Sequence, residues 1–102
     1  GSYFKFLTEV LGGDKDKVMM IAGMAVKSIS DDLKGSRESL DFQDRENTYN
    51  YLHKMKSNLA NLDLKDLASR MPDYKSESFW DDLPSFLDEV EEELEKLQTH
   101  LV

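Results

Sequence analysis

The stretch LPSFLDEVEEELEKLQTHL, Leu83 to Leu101, sets Leu83, Leu87, Val90, Leu94, Leu97 and Leu101 at steps of 4, 3, 4, 3 and 4. Alternating steps of four and three hold one apolar seam along an α-helix. Such a seam reads either as the stripe of a coiled-coil dimer or as one wall of an antiparallel bundle. Pro84 is compatible with this helix only in its first turn or at a kink, so the well-formed part is predicted from about Leu83 onward. The acidic run Asp88 to Glu95 is interrupted by Val90 and Leu94, which makes it a solvated helix face. On that face Glu92 and Lys96 are spaced for an i,i+4 pair.

The rest of the chain decides between the two readings of the seam. Tyr3, Phe6, Leu7, Val10 and Leu11 predict a short first helix, closed by Gly12-Gly13. Asp14 caps a longer segment in which Val18, Ile21, Ala22, Ala25, Ile29 and Leu33 share a face, with Gly35 expected as its stop. After a polar link from Ser36 to Leu40, Asp41 is expected to cap a third helix with Thr48, Leu52, Met55 and Leu59 inward, ending near Asn61. Asp63 reads as the cap of a short fourth helix carrying Leu64, Leu67, Ala68 and Met71, stopped by Pro72. With three further amphipathic helices on short links, the seam belongs to an antiparallel bundle. The five Met and the aromatic residues Phe79, Trp80 and Phe86 are then expected as core or end filling. The fold class is all-α, a four-helix bundle with a short N-terminal helix.

The whole chain is 102 residues, the size of one domain, and Gly1-Ser2 reads as a cloning scar ahead of a single domain over residues 3–102. There is no Cys, which removes disulfides, thiolate metal sites and cysteine nucleophiles. A net charge of −8 repels a phosphate backbone, so nucleic acid is not an expected partner. The apolar run from Val18 to Val26 is far short of the roughly 20 residues that span a bilayer, so no membrane partner is expected either. Neither G-x-x-x-x-G-K-[ST] nor G-x-G-x-x-G occurs, so kinase activity of its own is not expected. No His spacing of the H-E-x-x-H kind occurs, and no metal or cofactor of its own is expected.

Chemistry concentrates at His53. Helical steps place Tyr49, His53, Lys56, Ser57 and Ala60 on one stripe, beside the apolar stripe of Thr48, Leu52, Met55 and Leu59 and facing water. An imidazole near neutral pH is largely unprotonated, leaving one ring nitrogen as a nucleophile without a dedicated base. Lys56 one helical turn away sets a positive charge beside that nitrogen, so the stripe reads as a docking surface with a nucleophile. His100, close to the C-terminus with no small or basic residues around it, is assigned no role.

The run His53-Lys54-Met55-Lys56-Ser57-Asn58-Leu59-Ala60-Asn61-Leu62 resembles the signature H-x-L-K-G-S-x-x-x-L-G of histidine-containing phosphotransfer (HPt) domains. The resemblance extends over nearly the whole chain through the helix pattern. It implies that His53 accepts a phosphoryl group from a response-regulator receiver aspartate and passes it to another receiver, with Lys56 neutralising charge and Tyr49, Ser57 and Ala60 in the docking surface. It further implies a cytoplasmic monomer, free or as a domain of a membrane-anchored hybrid kinase. Receiver domains, with a sensor or hybrid histidine kinase, would be the partners, and Mg²⁺ would sit on the receiver. Ser57 stands where the family commonly has Gly, Asn58 where Ser is common, and Asn61-Leu62 replaces Leu-Gly. Two other readings remain open here: a helical adaptor or degenerate HPt domain that binds a receiver without phosphotransfer, and a coiled-coil dimerisation module.

Overall fold

A computed structural model describes residues 3–101, so the Gly1-Ser2 pair read as a scar lies outside the described residues, as does Val102. The chain folds into five α-helices: α1 (Lys5–Val10), α2 (Lys15–Asp41), α3 (Arg45–Asn61), α4 (Lys65–Ser69) and α5 (Phe79–Gln98). No strand occurs among the described residues. With 27 residues, α2 runs almost the full 43 Å of the molecule, as a rise of about 1.5 Å per residue requires. It is the spine against which α1, α3 and α5 pack, while α4 packs on α3.

The seam of α5 is consumed inside the chain. Leu83, Leu87, Val90, Leu94 and Leu97 are all buried within one hydrophobic cluster that draws on all five helices. That burial overturns the coiled-coil reading, because no apolar stripe of α5 is left for a partner helix. Leu101, the last member of the seam, lies beyond the helix and is half-buried.

Several boundaries differ from the sequence reading, each for a local reason. α2 does not stop at Gly35: it continues through residues 36–40, read as a polar link, to Asp41. Gly35 is buried in its interior, and a Cβ there would lie 2.5 Å from Cζ of Tyr51, so glycine serves close helix approach rather than termination. Because α2 runs on, Asp44 rather than Asp41 caps α3, its carboxylate accepting from the Asn47 N–H at 3.1 Å. Asp14 caps α2 as expected, accepting from Lys17 N–H at 3.2 Å. Asp63 is not the cap of α4. It sits at φ 64°, and its carboxylate accepts from the Phe6 N–H at 3.3 Å, tying the start of α1 to the α3–α4 turn.

Leu7 of α1 and Phe4 just before it are buried, and Leu11 just after it is half-buried, while Tyr3, Phe6 and Val10 of the expected stripe are exposed. α5 begins four residues before Leu83 and carries Pro84 inside, exposed and past the first turn. Phe79 and Phe86 fill the core and Trp80 is half-buried. The methionines divide: Met55 is buried and Met71 half-buried, but Met19, Met20 and Met24 are exposed on α2 and are not core filling. On the acidic face Lys96 pairs with Glu93 at 3.4 Å, not with Glu92. Arg37 and Arg70 brace the same face from outside α5, at 3.0 Å from Asp88 and 2.5 Å from Glu89; such exposed pairs contribute little each.

Candidate functional site

α3 is held against α2 by a polar and steric ladder. Ser39 Oγ and Thr48 Oγ1 lie 2.5 Å apart in a buried contact. Tyr51 packs on Gly35, Lys54 Nζ lies 3.3 Å from the buried Asp32 carboxylate, and Asn58 Nδ2 donates to Ser28 Oγ at 3.2 Å. With Leu52, Met55 and Leu59 in the core, the remaining face of α3 carries His53 and Lys56, both exposed.

Tyr49, His53 and Lys56 line one shallow depression together with Leu52, Ala68, Ser69, Met71, Pro72 and Tyr74. The Tyr49 ring is 5.7 Å from the His53 ring and 4.3 Å from the Tyr74 ring, centroid to centroid. Lys54 points away, to Asp32 and over the Tyr51 ring at 5.4 Å. Lys56 forms no salt bridge among the described residues, so its ammonium is the cation left to the depression. Ser57 is exposed and Ala60 half-buried, but neither lines the depression. The Ser57 hydroxyl donates back to the Lys54 carbonyl at 3.4 Å.

The far wall comes from a segment without helical periodicity. Between α4 and α5, Asp73 Oδ1 accepts from the Lys75 N–H at 2.9 Å, an Asx-type turn. Arg45, at the start of α3, donates to the Tyr74 carbonyl and lies 5.5 Å from the centroids of both Phe79 and Trp80. One guanidinium thereby fastens the connecting segment to α3 and to the start of α5. Tyr74 is the residue of this wall that sequence reasoning missed; its only signal was an aromatic next to the Pro72-Asp73 turn.

The chain matches no protein-family model, no curated protein and no solved structure. The site therefore rests on its own chemistry. An exposed imidazole stands on α3 beside an ammonium without a salt bridge among the described residues, with an aromatic wall on one flank. Its lining holds no carboxylate, whereas three other depressions carry Glu9 and Asp66, Glu38 and Glu91, or Glu89 and Glu92. Among the described residues no group of three His, Asp or Glu side chains is arranged to hold a metal ion, and no helix is long and apolar enough to cross a membrane. His100 lies elsewhere, stacked on Tyr3 with ring centroids 3.7 Å apart.

Proposed function

We propose that this chain is an HPt-type phosphorelay intermediate: His53 accepts a phosphoryl group from the aspartyl phosphate of a receiver domain and returns it to the aspartate of another. The finer fold belongs to the same proposal, an antiparallel four-helix bundle led by α1, with α2, α3 and α5 as long walls. The five-residue α4 and the segment after it complete the fourth side. The observation that carries the reading is the exposed His53 at the centre of α3, sharing a carboxylate-free depression with Lys56.

In the transfer, the unprotonated ring nitrogen of His53 attacks phosphorus in line. The N–P bond forms as the P–O bond to the receiver aspartate breaks, and the aspartate leaves as a carboxylate. Lys56 offsets part of the charge on the transferring group, and Mg²⁺ is supplied on the receiver. Partners are thus receiver domains, with a sensor or hybrid kinase upstream, and the setting is cytoplasmic with the chain acting as a monomer.

The test is incubation with a phosphorylated receiver. The expected label is acid-labile and base-stable, absent in His53→Gln and retained in His100→Gln; label at the unaltered level in His53→Gln would refute the assignment. A degenerate relay domain that only binds receivers is the second reading. It is favoured by the exposed Ser57, which adds a hydroxymethyl group where the family's glycine leaves room for the partner. Complex formation without label selects it.

A further inference from the structure

We infer that the outward face of α2 around Gly23 is a self-association surface, on which a second copy of this chain lays its own α2 antiparallel to the first. The inference goes beyond the phosphotransfer reading and amends it in assembly only: each copy keeps its own His53, and transfer runs on one chain at a time.

Gly23 sits inside α2, where glycine is the least favoured residue after proline. Its backbone does not call for glycine, since among the described residues the glycines with positive φ are Gly12 and Gly13. Packing within the chain does not call for it either. A Cβ on Gly23 would have nothing within 4 Å beyond its neighbours along the helix, whereas one on Gly35 would run into Tyr51. The notch therefore opens outward. Met19, Met20 and Met24 surround it, each at least 43% exposed. Methionine adapts its shape to a partner, and exposed apolar groups gathered in one place mark interaction surfaces.

Two features select a second copy as the occupant. Over residues 1–27, Lys5, Lys15, Lys17 and Lys27 outnumber Glu9, Asp14 and Asp16, so the net charge of −8 resides wholly in the remainder of the chain. Two such chains repel each other least where these ends meet. The face is also complementary to itself. At about 100° per residue, Asp16, Met20, Gly23 and Lys27 lie opposite the buried Val18, Ala22, Ala25 and Ile29. In an antiparallel pair centred between residues 21 and 22, Met20 of each copy enters the Gly23 notch of the other, and Asp16 of each stands against Lys27 of the other at both ends of the contact. Within its own chain Lys27 has the exposed Asp31, 3.6 Å away, a pair that contributes little and leaves the ammonium free to be shared. A foreign helix of one charge sign would answer Asp16 or Lys27 and oppose the other. The contact is short, which places it among small, transient interfaces.

The experiment is sedimentation of the unaltered chain from low micromolar to about 1 mM, beside Met20→Glu, Gly23→Leu, Asp16→Lys, Lys27→Asp and the double exchange Asp16→Lys/Lys27→Asp. A reversible monomer–dimer equilibrium is expected for the unaltered chain. Met20→Glu and Gly23→Leu are expected to raise its dissociation constant at least tenfold. Leucine favours a helix more than glycine does, so lost pairing at an unchanged or higher Tm separates a filled notch from a damaged fold. Each single charge exchange is expected to weaken pairing at least threefold, and the double exchange to restore it to within twofold. A chain that stays monomeric throughout overturns the inference, and gives the face to a different protein or to none. A dimer unmoved by both Met20→Glu and Gly23→Leu lies elsewhere and overturns it as well, and a double exchange without rescue overturns the antiparallel register. Labelling of His53 by a phosphorylated receiver is expected to be unchanged in Met20→Glu, so the relay reading stands or falls separately.

Discussion

Replacing Gly35 by alanine sets two effects of known sign against each other. In the interior of α2 alanine gains about 1 kcal/mol over glycine in helix propensity. The new Cβ, however, would lie 2.5 Å from Cζ and 2.8 Å from Cδ1 of Tyr51, well inside van der Waals contact. The half-buried Tyr51 ring, which lies beneath the Lys54 ammonium, must turn out of its place or push α3 away from α2. Overpacking of this kind costs about 1–3 kcal/mol, so Gly35→Ala is expected to destabilise by about 1 kcal/mol net. In a domain of this size that lowers Tm by about 4–8 °C. The sharper measurement is the same substitution in a Tyr51→Ala background. With the ring gone only the propensity gain remains, and Gly35→Ala becomes stabilising by about 1 kcal/mol. Urea or thermal unfolding of the four proteins gives the coupling. An effect of the same sign and size in both backgrounds would refute the claim that glycine is present for helix approach.

Thr48→Val keeps the side-chain shape but removes the buried hydroxyl that donates to the Asp44 carbonyl at 2.7 Å and meets Ser39 Oγ; a loss of about 1–2 kcal/mol by chemical denaturation is expected, and a neutral result would show the contact to be dispensable. Leu59→Ala empties a fully buried position and is expected to cost about 2–5 kcal/mol in the same assay; a cost under about 0.5 kcal/mol would mean that α3 does not face the core as described. Lys56→Ala removes the unpaired cation beside His53, so transfer from a phosphorylated receiver is expected to slow at low ionic strength while stability stays within about 0.5 kcal/mol. An unchanged rate would make Lys56 a bystander.

The long elements were legible because their signal is periodic. The inward residues of α3 and the seam of α5 from Leu83 to Leu97 follow from spacing alone, and the exposure of His53 follows from the same count. What spacing cannot supply is the partner across a contact. Gly35 looks like a stop until Tyr51, sixteen positions later, is seen against it. Asp63 looks like a cap for the helix that follows, yet its carboxylate serves Phe6, 57 residues earlier. The choice between Asp41 and Asp44 depends on how far α2 runs, which depends in turn on Gly35. Tyr74 lies in a segment fixed by an Arg45 contact and an Asx turn, neither of which leaves a period in the sequence. The exposed Met19, Met20 and Met24 show the converse: their residue type suggested core, and their place on the outward side of α2 decided otherwise.

The cross-links between α2 and α3 settle which way His53 faces. Ser39 with Thr48, Gly35 with Tyr51, Asp32 with Lys54 and Ser28 with Asn58 descend α2 as they climb α3, the mark of two antiparallel helices in one register. At about 100° per residue, Tyr51, Lys54 and Asn58 occupy the flank of α3 turned to α2, and Thr48, Leu52, Met55 and Leu59 occupy the adjoining core sector. Tyr49, His53, Lys56 and Ala60 then fall on the far side of the core sector from α2, toward α4 and the segment beyond it. A partner reaching for the imidazole therefore meets α2 only across the width of α3, whereas Tyr74 stands directly at its edge. The two lysines next to His53 divide on the same geometry. Lys54 falls on the α2 flank and is drawn to Asp32, while Lys56 falls on the histidine side and makes no salt bridge among the described residues, so the register that buries the core also decides which ammonium stands beside the imidazole.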